Sequence, residues 1–256
     1  MTEEVRLPPA YRLVALDSVD STNEEAKRLA RAGAEDGTVV WARAQTKGRG
    51  RSGRTWDSPR GNLYASLVLR PDCPLATAAQ LSFVAALGAG GALGEVLPPL
   101  VAVEFKWPND ILLNRRKAAG ILLEAESIGS DRLDWLVLGI GINVAERPPE
   151  TIVPATSLRE EGADDVTVEM LLEAFARHFL AWVNRWLEDG FEPVRLAWRS
   201  QARGRGEAIR VRLPDREIDG IFEDIDGRGA LMLRRPDGSQ QLVTAGDVFF
   251  AGGAGG

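Results

Sequence analysis

The sequence predicts an α+β fold: a mixed, largely antiparallel sheet with flanking helices over residues 1–203, followed by a small C-terminal β-barrel over residues 204–256. Three observations carry this. Between residues 101 and 144, "VAVEFKW", "DILLN", "KAAGILLEAE" and "LDWLVLGIGINV" read as strands whose short links allow hairpins but no helical crossover, so neighbours run antiparallel. Long helical patterns lie before and after this block instead of alternating with its strands, which disfavours a doubly wound sheet. Beyond Gly204 the texture changes to "EAIRVRL", "EIDGIFEDI", "GALMLRR" and "QQLVTAGDVFF", separated by "PD", "DGRG" and "PDG" turns, the pattern of a β-meander that closes into a barrel.

From the N-terminus, "DSVDSTNEEAKRLARAG" reads as a capped helix, with Ser21 and Glu24 or Thr22 and Glu25 as alternative capping boxes and Gly33 as the stop. "GTVVWARAQT" reads as a strand, a glycine-rich loop follows, and "NLYASLVLRP" alternates like another strand. An alanine- and leucine-rich helix is expected over residues 76–96, ending near Gly94 and the Pro98-Pro99 pair. Tight turns are expected near Pro108 and at Asn114 to Arg116. Leu171, Leu172, Phe175, Phe179, Trp182, Val183 and Trp186 recur at helical spacing, giving a helix from Thr167 to Glu188, and "PVRLAWRS" is a second, short amphipathic segment. The tail "AGGAGG" is expected to be disordered.

Composition narrows the function. With 31 basic against 37 acidic residues the chain has no overall pull towards nucleic acid or anionic membranes, so any polyanion must meet a local cluster. No apolar run approaches a membrane span, and "MTEEVRLPPA" lacks the pattern of an export signal, so the expected location is the cytoplasm. The single cysteine, Cys73, excludes an internal disulfide and a multi-cysteine zinc site. The single histidine, His178, falls at the flank of a helical core stripe, which leaves a Ser-His-Asp triad or a histidine-ligated metal without support.

The loop "TKGRGRSGRTW" matches two phosphate-binding expressions: Gly48, Gly50 and Gly53 spell G-x-G-x-x-G, and Gly48, Gly53, Arg54 and Thr55 spell a P-loop with Arg in place of Lys. Both need a helix directly after the loop, because its N-terminal N–H groups hold the phosphate. Here "TWDSPRGN" follows, and Pro59 and Gly61 preclude that helix. What remains is an anion clamp: Lys47, Arg49, Arg51 and Arg54 on a backbone that glycines free for close approach. Standing alone it would read mostly as a solvated basic loop, with a nucleic-acid tether, joined by "RSQARGRGEAIRVR", as a third reading.

Two further segments bear on the choice. In "EFKWPNDILLNRRKAAGILLE", Trp107, Pro108, Asn109 and Asp110 form a corner, Arg115 and Arg116 a basic turn, and Lys117 a strand position which, if inward, demands an anionic partner. In "LGIGINV", Gly139 and Gly141 leave one face of an apolar strand without side chains, which lets something flat lie against the backbone or else marks a bulge.

Together these segments resemble the biotin protein ligases. The resemblance rests on "DSTNEEA", "AQTKGRGRSGRTWDSPRGNLYASL", "KWPNDILLNRRKAAGILLE", "GIGINV" followed by "ATSL", and "DGIFEDIDGRGALML", in order and spacing from about residue 11 to residue 250. It implies a catalytic domain similar to that of class II aminoacyl-tRNA synthetases followed by a barrel of Src-homology-3 type. The implied reaction is ATP-dependent activation of biotin as biotinyl-5′-AMP, with Mg2+ as cofactor, and transfer to a lysine of the biotin carboxyl carrier protein of acetyl-CoA carboxylase. Because the chain begins almost at the catalytic domain, no DNA partner is expected; monomer and homodimer both stay open, an exposed sheet edge being the place where a twin could pair.

By the same resemblance, Ser21, Thr22, Asn23 and Gln45 meet the ureido head of biotin. Arg49, Gly50 and Arg51 fold over the adenylate, and Gly120, Gly139 and Gly141 contact biotin through backbone. Lys117 is the leading catalytic residue, with Arg49 and Arg51 beside it. Arg51, Arg54, Trp56, Asn109, Lys117 and Asn143 lie at the nucleotide, Trp56 packing on the closed loop and the two asparagines near the magnesium, for which no protein ligand is assigned. Asp110 orients either Lys117 or a ligand water. Ser52 stands where many relatives carry a further basic residue. A lipoate or octanoate ligase is the neighbouring alternative, disfavoured by the basic loop and the "KWPND" corner.

Overall fold

The structure, a computed structural model, describes residues 5–128, 132–149 and 154–250. In chain order its elements are β1 (Arg12–Leu16), α1 (Thr22–Arg31), β2 (Thr38–Ala42), β3 (Leu63–Leu69), α2 (Leu75–Ala78), α3 (Leu81–Val96), β4 (Val103–Lys106), β5 (Asp110–Leu113), β6 (Arg116–Ile128) and β7 (Arg132–Ile142). There follow α4 (Val168–Asp189), α5 (Phe191–Ser200), β8 (Ala208–Arg212), β9 (Glu217–Ile225), β10 (Leu231–Arg234), β11 (Gln240–Val243) and β12 (Asp247–Phe250). The tail expected to be disordered lies outside the described residues.

Seven strands form one mixed sheet in the order β1-β2-β3-β7-β6-β5-β4. Only β1 and β2, joined through α1, run parallel, and the block from β4 to β7 is a chain of hairpins, as the short links dictate. The β5–β6 turn puts Asn114 (φ 47°) and Arg115 (φ 67°) in left-handed conformation, which matches the right-handed twist of the strands it joins. Strand β1 was not foreseen in the sequence. The alternation expected for β3 is corrected too: all seven of its residues are buried, because both sheet faces are covered.

One face carries the main core. Trp41 on β2, Leu63, Ala65 and Leu67 on β3, and Leu136, Leu138, Ile140 and Ile142 on β7 pack there beneath α3, α4 and α5. The other face is covered by α1, whose Ala26 and Ala30 meet Val40, Val68, Trp135 and Val137. Continuing along β7 on that second face, the next two positions are Gly139 and Gly141, so the sheet lies bare just past the N-terminal end of α1.

The expected helix over 76–96 is divided into α2 and α3 by a turn at Ala79 and Gln80. Leu75–Val96 is long and apolar enough to match a membrane span by length and composition, which corrects the expectation that no apolar run is, but most of it is buried against the sheet and α4. The helix α4 starts at the Thr167 cap, whose side chain accepts from Met170 N, and His178 pairs with Glu95 at 2.8 Å, a structural role at the flank of the stripe.

The last five strands form an antiparallel sheet, order β11-β10-β9-β8-β12. Its core joins that of the first sheet without a gap. Trp107 donates its indole N–H to Gly229 O at 3.0 Å, and Asp224 accepts from Arg195 and Arg199 at 3.3 and 3.0 Å. This docking fixes β12 beside the first sheet.

Candidate active site

A cleft of about 700 Å³ opens on the α1 face of the large sheet and runs from the start of α1 to β12. Its floor follows from strand register. Gly141 pairs with Gly120 on one side and Tyr64 on the other, and Gly139 pairs with Leu122 and Ser66. No side chain rises from the middle of this floor.

The first end is neutral and polar. Ser21, Thr22 and Asn23 are each at most 4% exposed. The amide oxygen of Gln45 accepts from Thr22 N at 2.8 Å and from the Thr22 hydroxyl at 3.1 Å, and its amide nitrogen donates to Ser58 Oγ at 2.9 Å. The Ser66 hydroxyl lies 2.8 Å from Thr22 Oγ1 and 2.6 Å from Asn23 Oδ1, while Asn23 donates to Glu124 at 2.9 Å. Neither capping box forms: Ser21 occupies the N-cap position without a side-chain cap bond, and the Thr22 hydroxyl is spent on Gln45. That leaves the Ser21 side chain in the cleft wall for a ligand.

The basic loop is a folded hairpin. Gly50 N donates to Arg54 O at 2.7 Å and Trp56 N to Gly48 O at 2.9 Å. A Cβ on Gly48 would lie 2.3 Å from Ser58 Oγ and from Trp56 O, so the turn requires glycine there. Its arginines point three ways: Arg49 pairs with Glu24 and, at 3.5 Å, with Glu124; Arg51 donates to Asn109 Oδ1 at 3.0 Å and Gly246 O at 3.3 Å; Arg54 binds Asp247 through both carboxylate oxygens at 2.7 and 2.9 Å. Burial pushes the Arg51 guanidinium down from its ordinary value, against the pull of Asp247 and Asp110.

Trp56 lies on the glycine floor rather than on its own loop. A Cβ on Gly120 or Gly141 would come within 3.0 or 2.7 Å of the indole, whose N–H is buried without a partner. The indole thus covers Gly141 and Gly120, while the space over Gly139, the other glycine of the expected pair, is taken by Asn23.

The second end is cationic. Lys117 points inwards, 2.6 Å from Asp110 Oδ1 and 5.3 Å from the Trp56 ring centroid, so Asp110 orients the lysine. Its backbone is clamped by Pro154 O and Thr156 N at 2.7 and 2.9 Å. Asn143, 3% exposed, donates to Thr156 O at 3.0 Å, and Asn109 donates to Ile121 O at 2.6 Å. Arg116 is structural, bonded to Glu161 at 2.8 Å.

Every residue assigned to the site by the resemblance lies on this cleft, whereas Lys47, counted in the anion clamp, is exposed and does not line it. Among the lining residues that were missed are Lys106 on β4, and Arg212, Asp247 and Phe249 from the second sheet. Ser66, buried beneath Thr22 and Asn23, was missed as well. A hydroxyl inside an otherwise apolar buried strand was the available signal for Ser66. Among the described residues no three acidic, histidine or cysteine groups gather within reach of one metal ion. Asp110 and Asp247 are already held by cations, so the residues present do not form a resident magnesium site.

A neutral polar pocket, a glycine floor covered by Trp56 and a cationic end under a basic loop suit an enzyme that activates a small carboxylic acid with a nucleotide. The chain belongs to the biotin/lipoate A/B protein ligase family, whose model matches residues 7–200, and residues 205–251 match the biotin protein ligase C-terminal domain. It is 44% identical over 242 residues to the biotin–[acetyl-CoA-carboxylase] ligase of Paracoccus denitrificans, covering 93% of this chain and 100% of that one. Its fold superposes with a TM-score of 0.79 on the Aquifex aeolicus biotin protein ligase in complex with biotin and ATP, at 30% identity over 94% of this chain and 98% of that one. The Leishmania major enzyme in complex with biotinyl-5-AMP gives 0.62 at 28% identity, covering 93% of this chain and 100% of that one.

Proposed function

We propose that this chain joins biotin to a lysine of the biotin carboxyl carrier protein of acetyl-CoA carboxylase, in the cytoplasm, by way of biotinyl-5′-AMP. The observation that carries the proposal is the order of groups along one cleft. The neutral hydrogen-bonding set around Ser21, Thr22 and Gln45 suits a ureido head, the floor of Gly120 and Gly141 a flat apolar body in the place that the Trp56 indole takes in this structure, and Lys117 with Arg51 a carboxylate and phosphate.

In the first step a biotin carboxylate oxygen bonds to the α-phosphorus of ATP, and pyrophosphate leaves with the electron pair of the broken P–O bond. Two anions must be brought together, and Lys117 supplies a compact charge where they meet. No side-chain nucleophile or histidine is needed. Magnesium enters on the triphosphate as part of the substrate. The loop from Gly48 to Trp56 keeps water from the mixed anhydride. In the second step the carrier lysine attacks the biotinyl carbonyl carbon and AMP leaves.

The test is biotin-dependent exchange of labelled pyrophosphate into ATP, with lipoate as the competing acid. Exchange with biotin is expected; exchange with lipoate alone moves the chain to the lipoate branch of its family, and none with either acid removes the proposal. We also propose a homodimer through an exposed sheet edge such as β1, tested by sedimentation with and without biotin and ATP, and no DNA binding, tested by gel shift at low salt.

A further inference from the structure

We propose that Lys106 is a second catalytic lysine, the one that takes up the charge of the departing pyrophosphate. The inference rests on the adenylation reading above. Lys106 ends β4 and is 6% exposed, and a lysine is rarely so buried without a full counter-charge. Its nearest carboxylate oxygen is Asp110 Oδ2 at 3.6 Å, beyond direct hydrogen-bond distance, and the other oxygen of that carboxylate is held by Lys117 at 2.6 Å. One carboxylate thus serves two ammonium groups.

The neighbours leave the imbalance in place. Arg51 adds a third cation whose hydrogen-bond partners, Asn109 Oδ1 and Gly246 O, are neutral. Asp247, the next carboxylate, is engaged through both oxygens by Arg54. Lys106, Lys117 and Arg51 therefore face Asp110 with an excess of two positive charges at one end of the cleft. Burial pushes the Lys106 ammonium down from its ordinary value, which a polyanion would relieve.

Position divides the labour between the lysines. Lys117 lies beside Trp56 and the glycine floor, where the acid is activated. Lys106 lies on the other oxygen of Asp110, 5.8 Å from the ring centroid of Phe249 on β12. As the acid oxygen bonds to the α-phosphorus, the bridging oxygen takes the electron pair of the breaking bond, and its charge grows towards Lys106. The lysine gives up no proton; it stabilises the leaving group electrostatically. The acyl-transfer step expels AMP, not pyrophosphate, and does not call on it.

The experiment separates the two half-reactions in the full chain. Lys106→Met and Lys106→Arg are assayed for biotin-dependent pyrophosphate exchange and for transfer from synthetic biotinyl-5′-AMP to apo-carrier. Lys106→Met is expected to lower exchange about 10²-fold and to raise the KM for pyrophosphate, while transfer from the preformed adenylate persists and Lys106→Arg recovers part of the exchange. Equal loss in both half-reactions, or wild-type exchange in Lys106→Met, overturns the assignment. Failure of the wild-type chain to exchange at all instead overturns the adenylation reading on which it rests.

Discussion

Asp110 Oδ1 lies 2.6 Å from Lys117 Nζ, an ion pair formed across the β5–β6 hairpin with the carboxylate side chain 13% and the lysine side chain 27% exposed. The carboxylate thus aims the lysine into the cleft beside Trp56. Lys117→Ala is expected to lower biotin-dependent pyrophosphate exchange by about 10²–10⁴-fold with an unchanged circular dichroism spectrum. Lys117→Arg is expected to recover little, because a planar fork cannot replace a compact ammonium at this spacing. Full exchange in Lys117→Ala would falsify its catalytic role.

Gly139 holds the polar end together by having no side chain. A Cβ there would lie 2.0 Å from Asn23 Oδ1, so Gly139→Ala must displace Asn23 from Ser66 and Glu124. Moving Asn23 misaligns the polar end, and if that costs the ligand the equivalent of one hydrogen bond, about 1–3 kcal/mol, biotin affinity measured calorimetrically is expected to fall by roughly 10–100-fold. An unchanged affinity would mean that Asn23 plays no part in the acid pocket.

The parts legible in the sequence are those specified locally. Period and turn residues locate β6, β7 and α4, and the two-residue spacing of Gly139 and Gly141 reveals the floor because a strand alternates strictly. Strand β1 escapes because "RLVAL" is a five-residue edge strand without the alternation of polar and apolar residues that marks a half-buried strand. The capping boxes mislead because Ser21 and Thr22 carry the right residue types, yet Gln45, from a distant loop, takes the Thr22 hydroxyl. Arg212, Asp247 and Phe249 become site residues only once the second sheet docks through Trp107 and Asp224, and no local pattern encodes that contact, whereas Lys106 lies opposite Asp110 in the local β4–β5 hairpin and was signalled by a lysine in the apolar strand "VAVEFKW".

The Arg54–Asp247 pair ties the basic loop to β12, with side chains 56% and 31% exposed. A pair this exposed contributes at most about 1 kcal/mol to stability. Asp247→Asn is therefore expected to leave the unfolding midpoint nearly unchanged while speeding the escape of biotinyl-5′-AMP several-fold, read by trapping released adenylate. The charge-reversed double variant Arg54→Asp/Asp247→Arg is expected to restore retention; if the double variant leaks as fast as the single one, the tether is not what holds the loop.

Acid should loosen the start of α1. The Arg28 hydrogen bonds hold the Asp20 carboxyl at about 2, below its ordinary 3.8. For Glu124, burial acts upwards but is outweighed by hydrogen bonds from Asn23 and Lys27, so it too lies below its ordinary 4.5. In both cases the fold favours the ionised form, so the stability they contribute is complete above the ordinary values and lost as pH falls through the lowered ones. Urea midpoints measured from pH 5 downwards are expected to fall less steeply in Asp20→Asn than in the wild type between pH 3.8 and about 2; identical acid limbs would show that Asp20 carries none of the effect.

Two glycines of α3 should respond to alanine with opposite signs. At Gly88 an added Cβ would lie 2.9 Å from Phe179 Cα, a backbone atom of α4 that cannot rotate away, so the two helices must separate. At Gly94 the same atom meets nothing within 4 Å. Intrinsic helix propensity favours alanine at both sites by about 0.5–1 kcal/mol. At Gly94 nothing opposes that gain, and Gly94→Ala is expected to raise the urea midpoint accordingly. At Gly88 overpacking of about 1–3 kcal/mol outweighs it, and Gly88→Ala is expected to lower the midpoint. Equal stabilisation by both substitutions would show that α3 and α4 do not cross as closely as their backbones indicate.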